Sequence, residues 1–198
     1  LEFIKQYADP MYKELNRIRI DNNIDAPDGA NPINFSSNSI FNEDAFNINF
    51  FGLSDRDYWI TASNSSLGKK LFYDNIISGN KDRNCSSCHH PDKAFTDGLK
   101  TPLSTDNKTP LHRNSPTILN AAFQTQFVWD SRVSLLEGQL AAVIHSTEEM
   151  KGSVEDAVQQ ISDNEEYAAL FKKAYPNEIT PVNTFTVINA LSAYIRSL

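Results

Sequence analysis

A chain of 198 residues is long enough for one large domain, or for one domain with an extension, and can bury a core of ordinary size. With 40% hydrophobic and 22% charged residues it has the composition of a globular chain, and no apolar run approaches the ~18 to 20 residues that span a bilayer. The formal charge of -7 excludes the extended basic surface that nucleic acid would require.

The chain begins at Leu1 rather than Met and shows no basic stretch followed by an apolar one, so any targeting segment is expected to have been removed or to lie outside it. Asp9 reads as the N-cap and Pro10 as the first position of a helix, with Met11, Leu15 and Ile18 on an apolar side that needs a partner. From Asp21 to Phe51 the sequence is rich in Asn, Asp and Ser, with a turn at Pro27-Asp28-Gly29. Phe35, Phe41, Phe46, Phe50 and Phe51 are expected to pin that irregular segment to a neighbouring surface. Residues 1–66 are therefore read as an N-terminal extension and residues 67–198 as the main domain.

Near Ser65 a short helix is predicted, with Leu67, Lys70, Leu71 and Tyr73, running down to a Ser78-Gly79-Asn80 turn. Residues 91–115, marked by Pro91, Gly98, Pro102 and Pro110, form a loop of a length unusual unless functional. Three helical stripes follow: Leu135, Leu136, Leu140, Val143 and Ile144; then Val154, Ala157, Val158 and Ile161; then Tyr167, Leu170, Phe171 and Tyr175. A last helix starts near Asn183 or Thr184 with Ile188, Leu191, Ile195 and Leu198 on one side. It runs off the end with no glycine or proline stop, so the chain reads as a truncated piece of something longer. Strand signals are sparse, and the fold class is all-α.

Two cysteines are too few for a disulfide scaffold, and they stand together in Cys85-Ser86-Ser87-Cys88-His89. This spacing attaches a c-type haem: residues three apart on a helical turn project both sulfurs to one side, each to form a thioether with a porphyrin vinyl group, and His89 follows as ligand to the iron. A thioredoxin-like redox pair lacks its βαβ context here, and a zinc site lacks a second ligand pair. His90 is expected to face solvent. Attachment of haem c takes place outside the bacterial cytoplasm, so a periplasmic location is expected. On the other side of the iron the sequence offers Met11, Met150, His112 and His145; for the histidines a structural role outweighs ligation, His145 standing at a helix end where a cation suits the dipole.

Taken in order, Leu67-Gly68-Lys69-Lys70-Leu71-Phe72-Tyr73-Asp74, Cys85 to His89, Arg113-Asn114-Ser115-Pro116-Thr117, Trp129-Asp130-Ser131-Arg132, Gln139 and Glu149-Met150 resemble the N-terminal haem domain of bacterial dihaem cytochrome c peroxidases and the related methylamine-dehydrogenase maturation enzymes. The resemblance covers about two thirds of the chain and rests on order and spacing, with Trp129, Gln139 and Glu149 ten residues apart in turn. It implies a cytochrome c-like haem domain with long loops. Glu149 would be the acid-base catalyst acting on hydrogen peroxide and Gln139 would orient the peroxide; Trp129 would relay electrons between two haems, ordinary core packing being its alternative. Arg113 and Arg132 would pair with haem propionates. Asn114 would be a calcium ligand, its partners coming from a second domain. Ten residues turn an ideal helix through about 1000°, so Gln139 and Glu149 cannot share a helix face, and Glu149 must come from the loop after a helix ending near His145.

The chain also departs from the pattern it resembles. Val143 replaces a proline, Ser131 replaces the glycine of the tryptophan block, and Asp106 stands where many relatives carry a histidine that blocks the resting haem. The resemblance implies a second haem domain, which would receive electrons from a small cytochrome or copper protein and is expected to follow beyond Leu198. Three readings stand: a peroxidatic haem domain, a maturation-type enzyme oxidising another protein, and a low-spin electron-transfer cytochrome with Met150 as sixth ligand.

Overall fold

The computed structural model describes residues 2–25, 31–37 and 39–198; the turn expected at Pro27-Asp28-Gly29 lies outside them. Contacts divide the chain into Leu1–Ser54 and Asp55–Leu198. Among the described residues six α-helices and short 3-10 or π turns form the secondary structure, with isolated bridges in place of strands. No helix among them is long and apolar enough to cross a membrane.

In the first unit, helix α1 (Asp9–Asp21) does not begin at Pro10 as the capping signal predicts. A π turn, Ile4–Ala8, runs straight into it, and Ala8 and Asp9 are already helical. Proline has no N–H and its ring crowds the carbonyl four residues back, so a wider register upstream lets the helix continue through it. Asp9 accepts a hydrogen bond from the Ser39 hydroxyl, and Met11, Leu15 and Ile18 stay exposed. Phe41, Phe46 and Phe50 are exposed too, while Phe35 and Phe51 are half-buried, so three of the five rings are not sunk in a neighbouring surface. Polar contacts hold the segment: Ser37 donates to Asp44 at 2.8 Å, and the Asn34 and Asn47 amides donate to Ala45 and Pro32.

The second unit is built round two helices, α2 (Ala62–Tyr73) and α6 (Thr184–Arg196). Each starts with a reciprocal cap, Thr61 with Asn64 and Asn183 with Thr186, which satisfies orphan amides of the first turn. The predicted boundary at Leu67 falls inside α2, and residues 55–61 pack in this unit: Asn189 donates to the Tyr58 carbonyl at 3.1 Å, and the Tyr58 ring meets Phe185 edge-on. The two helices touch backbone to backbone at Gly68, where a Cβ would lie 1.8 Å from the Ala190 carbonyl oxygen. Leu67, Leu71, Phe72, Val187 and Leu191 close round that contact. Helices α3 (Leu136–His145), α4 (Val154–Ser162) and α5 (Glu165–Ala174) supply the rest of the core through Leu136, Ile144, Ala157, Ile161 and Phe171.

Helix α6 is buried on every side from Thr186 to Arg196, although its sequence shows only one apolar stripe. Its polar residues are paired inside the core. Asn189 accepts from the Tyr175 hydroxyl at 2.8 Å, and Ser192 and Arg196 both donate to Glu137 of α3, Arg196 Nη2 at 2.9 Å. Burial pushes the Glu137 carboxyl up, but the Arg196 bond and charge outweigh it and hold the group below the usual carboxylate range.

After α3 the chain makes a turn at 146–152 that is locked against residues 77–79. A Cβ on Gly79 would sit 1.8 Å from the Lys151 carbonyl oxygen, and the Gly79 amide donates to Met150. The loop before α3 closes at a bridge between Phe127 and Val133, and Ser131 within it has φ +58°, the left-handed conformation that favours glycine. Glycine at the matching position of the resembled block thus has a steric reason. Two stability changes follow, both checked by urea unfolding. Gly68→Ala should cost at least about 2 kcal/mol, because backbone rather than a movable side chain fills the space. Ser131→Gly should stabilise by about 0.5–1 kcal/mol.

Candidate haem site

Asn84 fixes the cysteine segment to the end of α2, donating to Tyr73 at 3.0 Å and to Asn75 at 2.8 Å. Cys85–Ser87 then form one 3-10 turn, closed by the Cys88 and His89 amides on the Cys85 carbonyl. In that geometry residues i and i+3 eclipse, so both sulfurs share a side of the turn. The thiols are unpaired. Burial pushes Cys85 up to about 12 and raises Cys88 as well, the Arg83 charge opposing the rise and the Asp97 and Glu149 charges adding to it. Neither is therefore the lowered-pKa thiolate that disulfide exchange uses.

The His89 Nδ1 lies 2.9 Å from the Phe95 carbonyl oxygen. Only an N–H can meet a carbonyl, so Nδ1 carries the proton and the lone pair is on Nε2, the form in which imidazole binds a metal. Burial lowers the pKa of the ring, with the Phe95 and Pro116 carbonyls opposing, which favours the neutral ligand form. The acceptor is aimed by an unusual turn: Ala94 and Phe95 both have positive φ, 52° and 57°. Thr117 steadies the turn by donating to the Ala94 carbonyl, and Ser115 donates to the Cys88 carbonyl at 2.8 Å. His90, expected to face solvent, instead lines a cleft of about 360 Å³ with Arg83, Cys88, Lys93, Asp97 and Asn107.

Glu149 sits in the turn after α3, and α3 ends at His145 as predicted. Burial raises its carboxyl above the ordinary range, Ser146 opposing and Glu148 adding to the rise, and its charge is felt at Cys88. Gln139 lies on α3 with its amide oxygen buried and unpartnered. Met150 is buried in the hydrophobic core. Trp129 does not pack in the core: it is 74% exposed, with the Arg113 guanidinium stacked 5.1 Å from its ring centre. Arg132 pairs with Asp130 at 2.7 Å, and Asn114 and His112 are exposed. Asp106 closes its own turn, accepting from the Lys108 and Thr109 amides and the Thr109 hydroxyl, and these bonds hold its carboxyl down at about 2.

Arg83 went unnoticed in the sequence because an arginine beside a motif is usually solvated. It is buried, two residues before Cys85, and donates to the Leu103, Ser104 and Glu149 carbonyls and to Asn107. With two free thiols and a neutral imidazole set on one turn, beside a cleft that Cys88 and His90 line, the donor set suits a covalently attached haem.

A family model for di-haem cytochrome c peroxidases matches residues 62–198. The methylamine utilization protein MauG of Methylorubrum extorquens is 34% identical over 139 residues, which are 70% of this chain and 39% of that protein. Cytochrome c551 peroxidase of Pseudomonas aeruginosa is 32% identical over 140 residues, 70% of this chain and 40% of that protein. Among solved structures, a MauG-like protein associated with microbial copper homeostasis superposes with a TM-score of 0.67 at 26% identity, covering 87% of this chain and 45% of that one. The chain thus spans about two fifths of the length of these two relatives. The matched residues run from the first turn of α2 through the cysteine turn to the end of α6, the segment that carries every residue of the candidate site, and the chain belongs to the di-haem cytochrome c peroxidase family.

Proposed function

We propose that this chain is the peroxidatic c-type haem domain of a periplasmic two-haem enzyme that reduces hydrogen peroxide to water. Electrons come from a second haem on a further domain, itself supplied by a small cytochrome or copper protein. The observation that carries the reading is the placement of Glu149, half-buried in the turn after α3, where its carbonyl accepts at 3.1 Å from Arg83, two residues before the turn bearing Cys85, Cys88 and His89; burial raises its carboxyl there.

Haem, attached through Cys85 and Cys88 and ligated by His89, would supply the iron and the electrons. Glu149 takes a proton from the inner oxygen of the peroxide and returns it to the outer one, so that water rather than hydroxide departs. A carboxylate raised above its ordinary range is a stronger base, which suits it to take the proton from a peroxide. The unpartnered Gln139 amide orients the peroxide. Trp129, exposed at the surface of the unit, passes electrons inward, and Arg113 and Arg132 steady the propionates. Calcium at Asn114 would need ligands from beyond this chain; among the described residues no group of three or more His, Cys, Asp or Glu could hold a metal ion. The 34% identity to MauG favours a second reading, in which the same residues oxidise a partner protein through Trp129. Met150, sequestered in the core, argues against ligation by its sulfur and so against a simple electron carrier.

Glu149→Gln should leave covalent haem intact and slow the reaction with peroxide by roughly 10²- to 10⁴-fold in stopped-flow absorption. With Glu149 as base, the rate should rise with pH through an inflection above the ordinary carboxylate range, and the substitution should abolish that inflection; an unchanged rate would remove Glu149 from the mechanism. Replacing Cys85 and Cys88 together by alanine should leave no haem on the chain after denaturing electrophoresis and haem staining.

A further inference from the structure

We propose that Arg83 is a positioning residue for Glu149, a clamp that holds the turn bearing the carboxylate at a set distance from the cysteine turn. This rests on the reading of Glu149 given above. A buried guanidinium ordinarily finds a carboxylate. Arg83 is only 9% exposed, yet among the described residues no carboxylate oxygen lies within ion-pair distance of it. It spends its donors on main-chain carbonyls and one amide instead. Nη1 reaches Glu149 at 3.1 Å and Leu103 at 3.4 Å; Nη2 reaches Ser104 at 2.9 Å and Asn107 at 3.2 Å.

One rigid, planar group therefore joins three stretches of chain: the residues just before Cys85, the loop at 103–107, and Glu149. The loop and the turn are stapled to each other as well, since the Thr105 amide donates to Glu148 at 3.0 Å and the Thr105 hydroxyl to Thr147 at 3.1 Å. The bond to residue 149 is made to its carbonyl, which fixes the backbone and leaves the carboxylate free for proton transfer. Lysine would keep the charge, but a single ammonium cannot span acceptors laid out for a fork. Because a displacement of about 1 Å can cost a catalytic group up to 10²-fold, loss of the clamp should register in the rate.

The test is Arg83→Lys in the haem-loaded protein, alone and combined with Glu149→Gln. Covalent haem and the amide exchange of α6 should be unchanged, while amides of residues 149–152 should exchange faster. The reaction with peroxide should slow by about 10- to 100-fold with Glu149 in place, and by less than about twofold in the Glu149→Gln background. Unchanged exchange at 149–152, equal losses in both backgrounds, or loss of covalent haem would each overturn the proposal. If Glu149→Gln alone has no effect, the acid-base reading falls, and the exchange at 149–152 then decides whether the clamp exists.

Discussion

Helices α2 and α6 meet at Gly68 with no side chain between them, and most of the second unit follows from that approach. Two backbones so close bring α6 into the unit so that, from Thr186 to Arg196, both its apolar and its polar faces are buried. A buried arginine then needs a partner, and Glu137 supplies it from α3; leaving such a cation unpaired would cost about 3–5 kcal/mol. The ion pair fixes α3, and α3 delivers the turn at 146–152 to residues 77–79, where Gly79 and the turn's own Gly152 let the two stretches meet backbone to backbone. Glu149 is thereby placed by a chain of packing constraints that starts at Gly68.

The haem attachment works differently. The residues proposed to attach the haem and ligate its iron are five consecutive ones, and Asn84 anchors that short stretch to α2. The proposed acid-base group has no such local device. Its place depends on Arg83 and on residues 103–107 and 146–152, segments that are far apart in sequence and joined only by folding.

This contrast explains what could be read in advance. The motif, the cap at Asn183 and the end of α3 at His145 were legible because each is decided by a few neighbouring residues. The full burial of α6 was not, since Thr186, Asn189, Ser192 and Arg196 look like a solvated face until their partners on other elements are known. Arg83 was hidden for the same reason. The start of the first helix was misplaced because Asp-Pro is a good local signal for a beginning, and a π turn overrode it. Among the phenylalanines of the first unit the expectation of burial fails for Phe41, Phe46 and Phe50, whose rings stay exposed beside short polar residues that bond to one another.

The acceptor for the His89 ring is a main-chain oxygen, presented by two successive left-handed residues. Exchanging the Phe95 side chain would leave that oxygen in place so long as the turn survives, so the identity of residue 95 records backbone tolerance and packing against Phe72 rather than hydrogen-bonding ability. A neutral carbonyl also draws less on the N–H than a carboxylate would, and so lends the imidazole less anionic character. The electron richness of His89 as an iron ligand would in this way be set by the shape of the chain, in a feature that an amino-acid alphabet does not spell.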